Sequence, residues 1–230
     1  MTHKKTIHLV AATLAAAAFP AAAQMSPWYV GLGFGQSKTD SALVTNREST
    51  LNPATNITSS FDDKDSAWKA TLGYRFTDLI SIEGNYADYG SVKLDTTFNV
   101  PEGITGLGGV FTDRSVKGYG LDLVLTAPFY ERFAVFGRVG FFRAETKATA
   151  TLSGETIFSD GDPSRSRTNT SRENIAKFGV GFDWYVWKNA ALRLEWERLT
   201  DVGKKIESGV SGTTGEADMD LWTIGAIWRF

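Results

Sequence analysis

Glu195 and Glu197 stand two residues apart, so in an extended strand both carboxylates project from one face. Paired carboxylates whose pKa values are pushed apart run acid–base chemistry. Arg193 and Arg138 offer the same two groups an ordinary ion pair instead. Little else in the chain supports catalysis. Its 230 residues include no cysteine, which excludes a disulfide framework or a thiolate metal site. The two histidines are His3 and His8, so no imidazole base is available beyond the first few residues. Gly31-x-Gly33-x-Gly35 and Gly179-x-Gly181 are fragments of a dinucleotide loop, but no helix follows either, and small residues on a crowded strand face explain them better. Asp62-Asp63 and Asp160-Gly-Asp162 could contribute to a calcium loop, yet neither brings a full ligand set. The expectation is no catalytic residue, no cofactor and no metal.

These residues sit on short alternating segments. The last one ends Leu221-Trp-Thr-Ile-Gly-Ala-Ile-Trp-Arg-Phe230, with Trp222, Ile224, Ala226, Trp228 and Phe230 on one face and Thr223, Gly225 and Arg229 on the other. The same alternation recurs over residues 28–38, 68–76, 80–87, 118–125, 133–142, 177–186 and 192–197, which makes eight strands. Tight turns at Thr77-Asp78, from Pro128 to Arg132 and at Lys188-Asn189 separate them on one side. On the other side lie long polar loops, over about 39–64, 94–113, 153–170 and 202–216.

Before all this comes a different kind of segment. Lys4 and Lys5 precede an apolar run from Ile7 to Phe19 and then Ala21-Ala22-Ala23, the pattern of a secretory signal peptide. The run is too short to cross a bilayer as a helix. Residues 1–23 are expected to be removed, leaving 24–230 as one domain. Without Lys4 and Lys5 the chain has 22 basic and 26 acidic residues, a formal charge of −4 that argues against a nucleic-acid partner.

Size decides which face of the strands points inward. An eight-stranded barrel has an interior just wide enough for side chains to fill it. The face rich in Gly, Ser and Thr fits there, and its charges are of mixed sign. Lys69, Arg75, Arg138, Lys177, Arg193 and Arg229 stand against Glu83, Asp122, Asp183, Glu195 and Glu197. Enclosed together these can pair, whereas a lone buried ion costs several kcal/mol. The Trp, Phe and Leu face must then point outward into hydrocarbon, where closed barrels satisfy every backbone group. Outward aromatics form two belts. Trp28, Phe76, Phe133, Trp184, Trp228 and Phe230 lie near the short turns; Tyr86, Tyr119, Phe141, Phe178, Trp196 and Trp222 lie nearer the long loops. A soluble lipocalin-like barrel would have the opposite polarity. The fold class expected is all-β, an eight-stranded antiparallel up-and-down transmembrane β-barrel.

Trp68-Lys-Ala-Thr-Leu-Gly-Tyr-Arg-Phe76 followed by Ile82-Glu-Gly-Asn-Tyr-Ala-Asp-Tyr-Gly90 resembles a hairpin of the outer membrane protein A-like transmembrane barrels. So do Phe136-Gly-Arg-Val-Gly140, Val180-Gly-Phe-Asp-Trp184, Leu192-Arg-Leu-Glu-Trp196 and the final Trp228-Arg-Phe230. The resemblance implies a Gram-negative outer membrane location, with short turns in the periplasm and long loops outside. It implies periplasmic chaperones as escorts and the barrel assembly machinery as reader of Trp228 and Phe230. It also implies that Glu83, Arg138 and Glu195 salt-bridge across the lumen, in a charge network to which strand parity adds Asp122, Lys177, Asp183, Arg193 and Glu197. No peptidoglycan-binding domain follows the barrel motifs, so wall anchoring is not implied.

Strand parity puts Lys38, Lys117, Arg143 and Arg198 on the outer face at the long-loop end. There they would either bind lipopolysaccharide phosphates or snorkel to the interface. The function expected is structural and surface-interacting: envelope integrity, adhesion, or binding of a host or surface ligand through the loops. A narrow, low-conductance pore is the alternative, followed by a lipid-modifying enzyme.

Overall fold

Side chains that alternate in character along an extended chain commit it to one hydrogen-bonded register, because a slip of one residue would turn every group to the wrong face. The computed structural model describes residues 26–49, 55–99, 107–154, 164–205 and 214–230. Residues 1–23, Pro101 and the Asp160–Asp162 pair lie outside that set. The strands are β1 (Trp28–Thr39), β2 (Thr55–Asp62), β3 (Lys64–Arg75), β4 (Ile80–Asn99), β5 (Leu107–Tyr130), β6 (Phe133–Gly154), β7 (Ser166–Trp187), β8 (Ala190–Val202) and β9 (Ala217–Arg229), with one helix, α1 (Ala42–Ser49). Neighbours pair antiparallel in the order β1-β3-β4-β5-β6-β7-β8-β9. The ring closes where β9 returns to β1, from Tyr29↔Arg229 to Thr39↔Met219. Eight strands thus form the wall. β2 is the continuation of β3 beyond Asp63 and pairs with the upper part of β4.

Burial follows the expected polarity. Phe141, on the outer face, is 73% exposed, while Glu83, Tyr89 and Glu197 are fully enclosed. The lumen is less uniformly small than the Gly, Ser and Thr pattern suggests, because Tyr29, Tyr89, Phe136 and Phe142 also point into it. They fit where a neighbouring glycine leaves room. A Cβ at Gly73 would fall inside the Tyr29 ring, and one at Gly181 would meet Phe136.

The expected loop over 94–113 is largely strand, and strand also takes up both ends of the one expected over 153–170. β4 continues to Asn99 and β5 begins at Leu107; β6 runs to Gly154 and β7 begins at Ser166. The reason is a reversal of polarity along the barrel axis. Above the upper aromatic belt the outer face meets water, so Lys93, Asp95 and Thr97 point out while Val92, Leu94 and Phe98 point in. The interior there is mainly apolar, built around Tyr89, Val116, Phe142, Leu199, Met219 and Leu221, with Arg114 enclosed beside Met219 and donating to the Val202 carbonyl at 2.7 Å. Within the expected first loop, Asp40 caps α1 by accepting the Ala42 amide at 2.8 Å. Leu43 of α1 packs on Val92, Leu94 and Ala217. At the opposite end the turns are tight. Thr77 Oγ1 accepts the amides of Leu79 and Ile80 at 3.2 and 3.1 Å. β5 runs through Pro128 to Tyr130, so that turn is shorter than expected and reduces to Glu131-Arg132.

The seam between β1 and β9 depends on close backbone approach at Gly35, where a Cβ would overlap the Trp222 carbonyl. Gly35→Ala is expected to destabilise the barrel by about 1–3 kcal/mol through overpacking. Gly84→Ala, whose Cβ would find its nearest neighbour 3.8 Å away, should change stability by less than about 0.5 kcal/mol. Urea titration of the refolded protein in vesicles, read by the gel shift of folded barrels, checks both.

Candidate functional site

Four cations and five carboxylates meet in the lumen between the two aromatic belts. They stand at lumen-facing positions of β3, β4, β5, β6, β7 and β8, and some reach from one wall to the opposite one. Arg138 of β6 is the hub. Its Nη2 donates to Glu83 Oε2 at 2.8 Å and its Nη1 to Asp122 Oδ2 at 3.1 Å. The same Nη2 lies 2.8 Å from Glu195 Oε2, an ion pair that misses hydrogen-bond alignment. Arg193 of β8 forks onto Asp183 at 2.8 and 2.9 Å and reaches Glu83 Oε1 at 2.7 Å. Lys177 of β7 pairs with Asp122 at 3.0 Å and with Glu197 at 3.5 Å. Lys69 of β3 joins Glu195 and Glu197, the latter at 2.9 Å. The structure therefore brings Glu83, Asp122, Arg138, Lys177, Asp183, Arg193, Glu195 and Glu197 into one connected cluster.

Uncharged groups complete it. Tyr29 donates to Glu83 at 2.7 Å and Tyr89 to Glu197 at 2.6 Å. Asn85 donates to Asp122 and accepts from Lys177, both at 2.9 Å. Parity alone puts Tyr29 and Asn85 on the lumen face, but it cannot say which carboxylate across the barrel each will meet. Lys69 was legible as a lumen charge, though its bridging of Glu195 and Glu197 was not. The lumen rings also sit under the cations: Arg193 lies 4.2 Å from the Phe136 ring centre and Lys177 5.5 Å from that of Phe142. In this setting Glu195 and Glu197 are 1% and 0% exposed and already engaged by cations, which leaves no approach for a substrate.

The four outer cations do not form one cluster. Arg198 forks onto Asp220 at 2.7 Å through two bonds. Lys38 lies 3.7 Å from Asp63 and stands directly opposite Lys64. Arg143 donates to Asn174 at 3.0 Å. Lys117 faces Asp88 on one side and Glu145 on the other in strand register. All four lie just above the belt of Tyr86, Tyr119, Phe141, Phe178, Trp196 and Trp222. Among the described residues no cluster of acidic side chains could hold a metal ion. At the other rim Trp228 stands between Val30 and Ala190 on its two neighbouring strands, and the Phe230 carbonyl accepts the Ser26 amide at 2.6 Å.

The family model for the outer membrane protein beta-barrel domain matches residues 8–230. The chain belongs to this family. Membership makes it a transmembrane protein of the Gram-negative outer membrane, with the short turns periplasmic and the long-loop end extracellular. Among solved structures it is similar to Ail, the attachment invasion locus protein of Yersinia pestis, at 14% identity and a TM-score of 0.46, covering 90% of this chain and 100% of that one. The outer membrane protein OprG from Pseudomonas aeruginosa is similar at 14% identity and 0.47, covering 90% and 97%. The outer membrane protease OmpT from Escherichia coli is similar at 13% identity and 0.46, covering 91% and 99%. A comparison of the sequence with curated proteins finds no match.

In this outer membrane barrel Arg138 is the group on which most carboxylates converge. Arg138→Ala would leave the buried Glu83 and Asp122 short of a partner and should cost roughly 3–5 kcal/mol. Arg138→Lys, which keeps the charge but loses the fork, should cost less. Urea unfolding in vesicles at constant pH measures the order; equal stability of all three proteins would contradict it.

Proposed function

We propose that this barrel works through its outer surface rather than through its lumen, as a structural and surface-interaction protein of the outer membrane. Envelope integrity, adhesion and related ligand binding by the extracellular loops are the roles this reading covers. One observation carries it: the lumen is filled twice, by different chemistry at each level. The ion network occupies the membrane level, and the apolar cluster of Tyr89, Val116, Phe142, Leu199, Met219 and Leu221 lies above it. An ion entering the lower level would need to displace paired charges, and one entering the upper level would lose its water without compensation. Conduction is therefore disfavoured, and so is catalysis at Glu195 and Glu197. What remains available is the projecting sheet, with a polar outer face on a rigid base. In planar-bilayer recordings the wild-type protein is expected to give no channel events. A deletion strain should lose surface binding or envelope resistance while its uptake of small solutes stays unchanged. Regular conductance steps from the wild-type protein would sink the reading.

The lipid partners follow from position. Lys38, Lys117, Arg143 and Arg198 project at the level where lipopolysaccharide phosphates lie, and Lys and Arg bind phosphate well. The side chain of Lys38 is 57% exposed, and the Asp63 beside it engages it only loosely. Biogenesis would run through cleavage after residue 23, periplasmic chaperones, and the barrel assembly machinery reading Trp228 and Phe230. Reversing the charge of all four cations is expected to lower lipopolysaccharide co-purification several-fold without loss of folding. Unchanged co-purification from a folded variant would remove these contacts from the proposal.

A further inference from the structure

Two cations at the periplasmic mouth stand outside the lumen network. Arg75 ends β3 and Arg229 ends β9, and the two flank β1 at the periplasmic mouth. Arg229 stands opposite Tyr29, and the Arg75 amide donates to the Pro27 carbonyl at 2.9 Å. The two guanidiniums lie near enough to act on each other as like charges. Both are half-buried. Among the described residues neither is paired with a carboxylate, whereas Arg138 and Arg193, deeper in the lumen, each hold two or more. The side chain of Arg75 makes one hydrogen bond, from Nη2 to the Tyr185 hydroxyl at 3.3 Å. That bond uses the hydroxyl oxygen and leaves its proton to be donated elsewhere.

The nearby acids do not make up the deficit. Asp183 is held by both arms of Arg193. Asp78, in the turn after β3, acts on Arg229 from beyond ion-pair distance. Lys188, in the turn between β7 and β8, adds a third positive charge to the same pocket, which Tyr185 and Asn189 also line. The pocket has about 10 Å³ of free space, room for about one water-sized group. A bound oxyanion would thus point one oxygen inward and keep the others at the open mouth.

Two guanidinium forks on one pocket, a lysine at its edge and a hydroxyl with a free proton match a tetrahedral oxyanion. We propose that the periplasmic mouth of the barrel binds a phosphate group, with Arg75 and Arg229 as its principal ligands and Lys188 and Tyr185 completing the set. The phosphate comes from one of two sources. It is free in the periplasm, or it belongs to the headgroup of an inner-leaflet phospholipid, at the level of the belt formed by Trp28, Phe76 and Trp228.

The test compares thermal unfolding of the refolded barrel in nanodiscs at constant ionic strength. In the first arm the lipid is phosphatidylcholine and inorganic phosphate replaces chloride. In the second arm phosphate is absent and phosphatidylglycerol is titrated into the disc. The wild-type midpoint should rise saturably in at least one arm, and the arm that responds identifies the source. The double variant Arg75→Gln, Arg229→Gln should lose the response or need at least about tenfold more ligand, the loss expected for charge-assisted hydrogen bonds. Arg229→Lys, a milder change that keeps the charge, should weaken the response by less. Lys93→Gln, on the water-facing wall above the upper belt, should leave it intact. A wild-type protein that shows no saturable rise in either arm overturns the site, whatever the variants do. So does a rise of equal size and midpoint in wild type and in the variants that fold.

Discussion

In hydrocarbon a backbone amide or carbonyl without a partner costs several kcal/mol, and no water is present to replace the missing bond. For a chain of strands the only complete solution is a circle, so the pairing of β9 with β1 is the contact on which the rest depends. Eleven residue pairs join these strands, and they connect the ends of the barrel sequence, Tyr29 and Arg229. The seam allows little choice of side chain. Where the two backbones come closest, at Gly35 and Gly225, a Cβ would meet the partner strand's carbonyl. Closure also dictates the interior. Eight strands leave a lumen that side chains must fill, and the inward side of a lipid-facing strand is the one place where its polar residues can go.

The interior that results is charged because of what the exterior must be, and its charges are tolerable only because they meet. Arg138 joins Glu83 to Asp122, Arg193 joins Glu83 to Asp183, and Lys69 ties Glu195 to Glu197. Such a network is weak evidence for net stability, since well-packed apolar residues can do as well. Its value here is positional. Arg193 of β8 reaches Glu83 of β4 and Lys69 of β3 reaches Glu195 of β8, so these pairs cross-brace a cylinder whose backbone bonds hold neighbours alone, while Arg193–Asp183 and Arg138–Asp122 join adjacent strands. Above the upper belt the outer face meets water, and Val92, Leu94 and Phe98 turn inward without any change of strand direction.

That reversal also explains what could be read in the sequence. Where lipid surrounds the wall, the period of two is strict, and Glu83, Arg138 and Glu195 are assigned to the lumen by parity alone. Above the belt the alternation persists, but a reader expecting polar-in and apolar-out takes Leu94–Asn99 and Leu107–Asp113 for loop. α1 escapes for another reason: eight residues with no acidic first turn and a weak apolar stripe leave Asp40 as its single local signal. Partner choice is harder still. Tyr89 and Glu197 are 108 positions apart in the chain, and their contact is set by strand tilt and stagger around the barrel.

The two rims carry opposite solutions to one electrostatic problem. At the extracellular rim most cations face acids on adjacent strands: Arg198 beside Asp220, Arg172 beside Glu145, Lys117 between Asp88 and Glu145. That rim is nearly neutral strand by strand, apart from the direct opposition of Lys38 and Lys64. At the periplasmic rim Arg75 and Arg229 converge on one pocket with Lys188, while the acids that could balance them are engaged elsewhere or out of reach. Like charges held together at the edge of a low-dielectric interior raise the free energy of the folded state unless an anion joins them. Fold alone does not require this, since an uncharged side chain such as Gln at either position would remove the repulsion. A sequence that pairs its lumen charges so thoroughly between the belts, yet ends the two strands flanking β1 in guanidiniums without a carboxylate partner among the described residues, leaves an uncompensated positive field where the barrel opens to the periplasm.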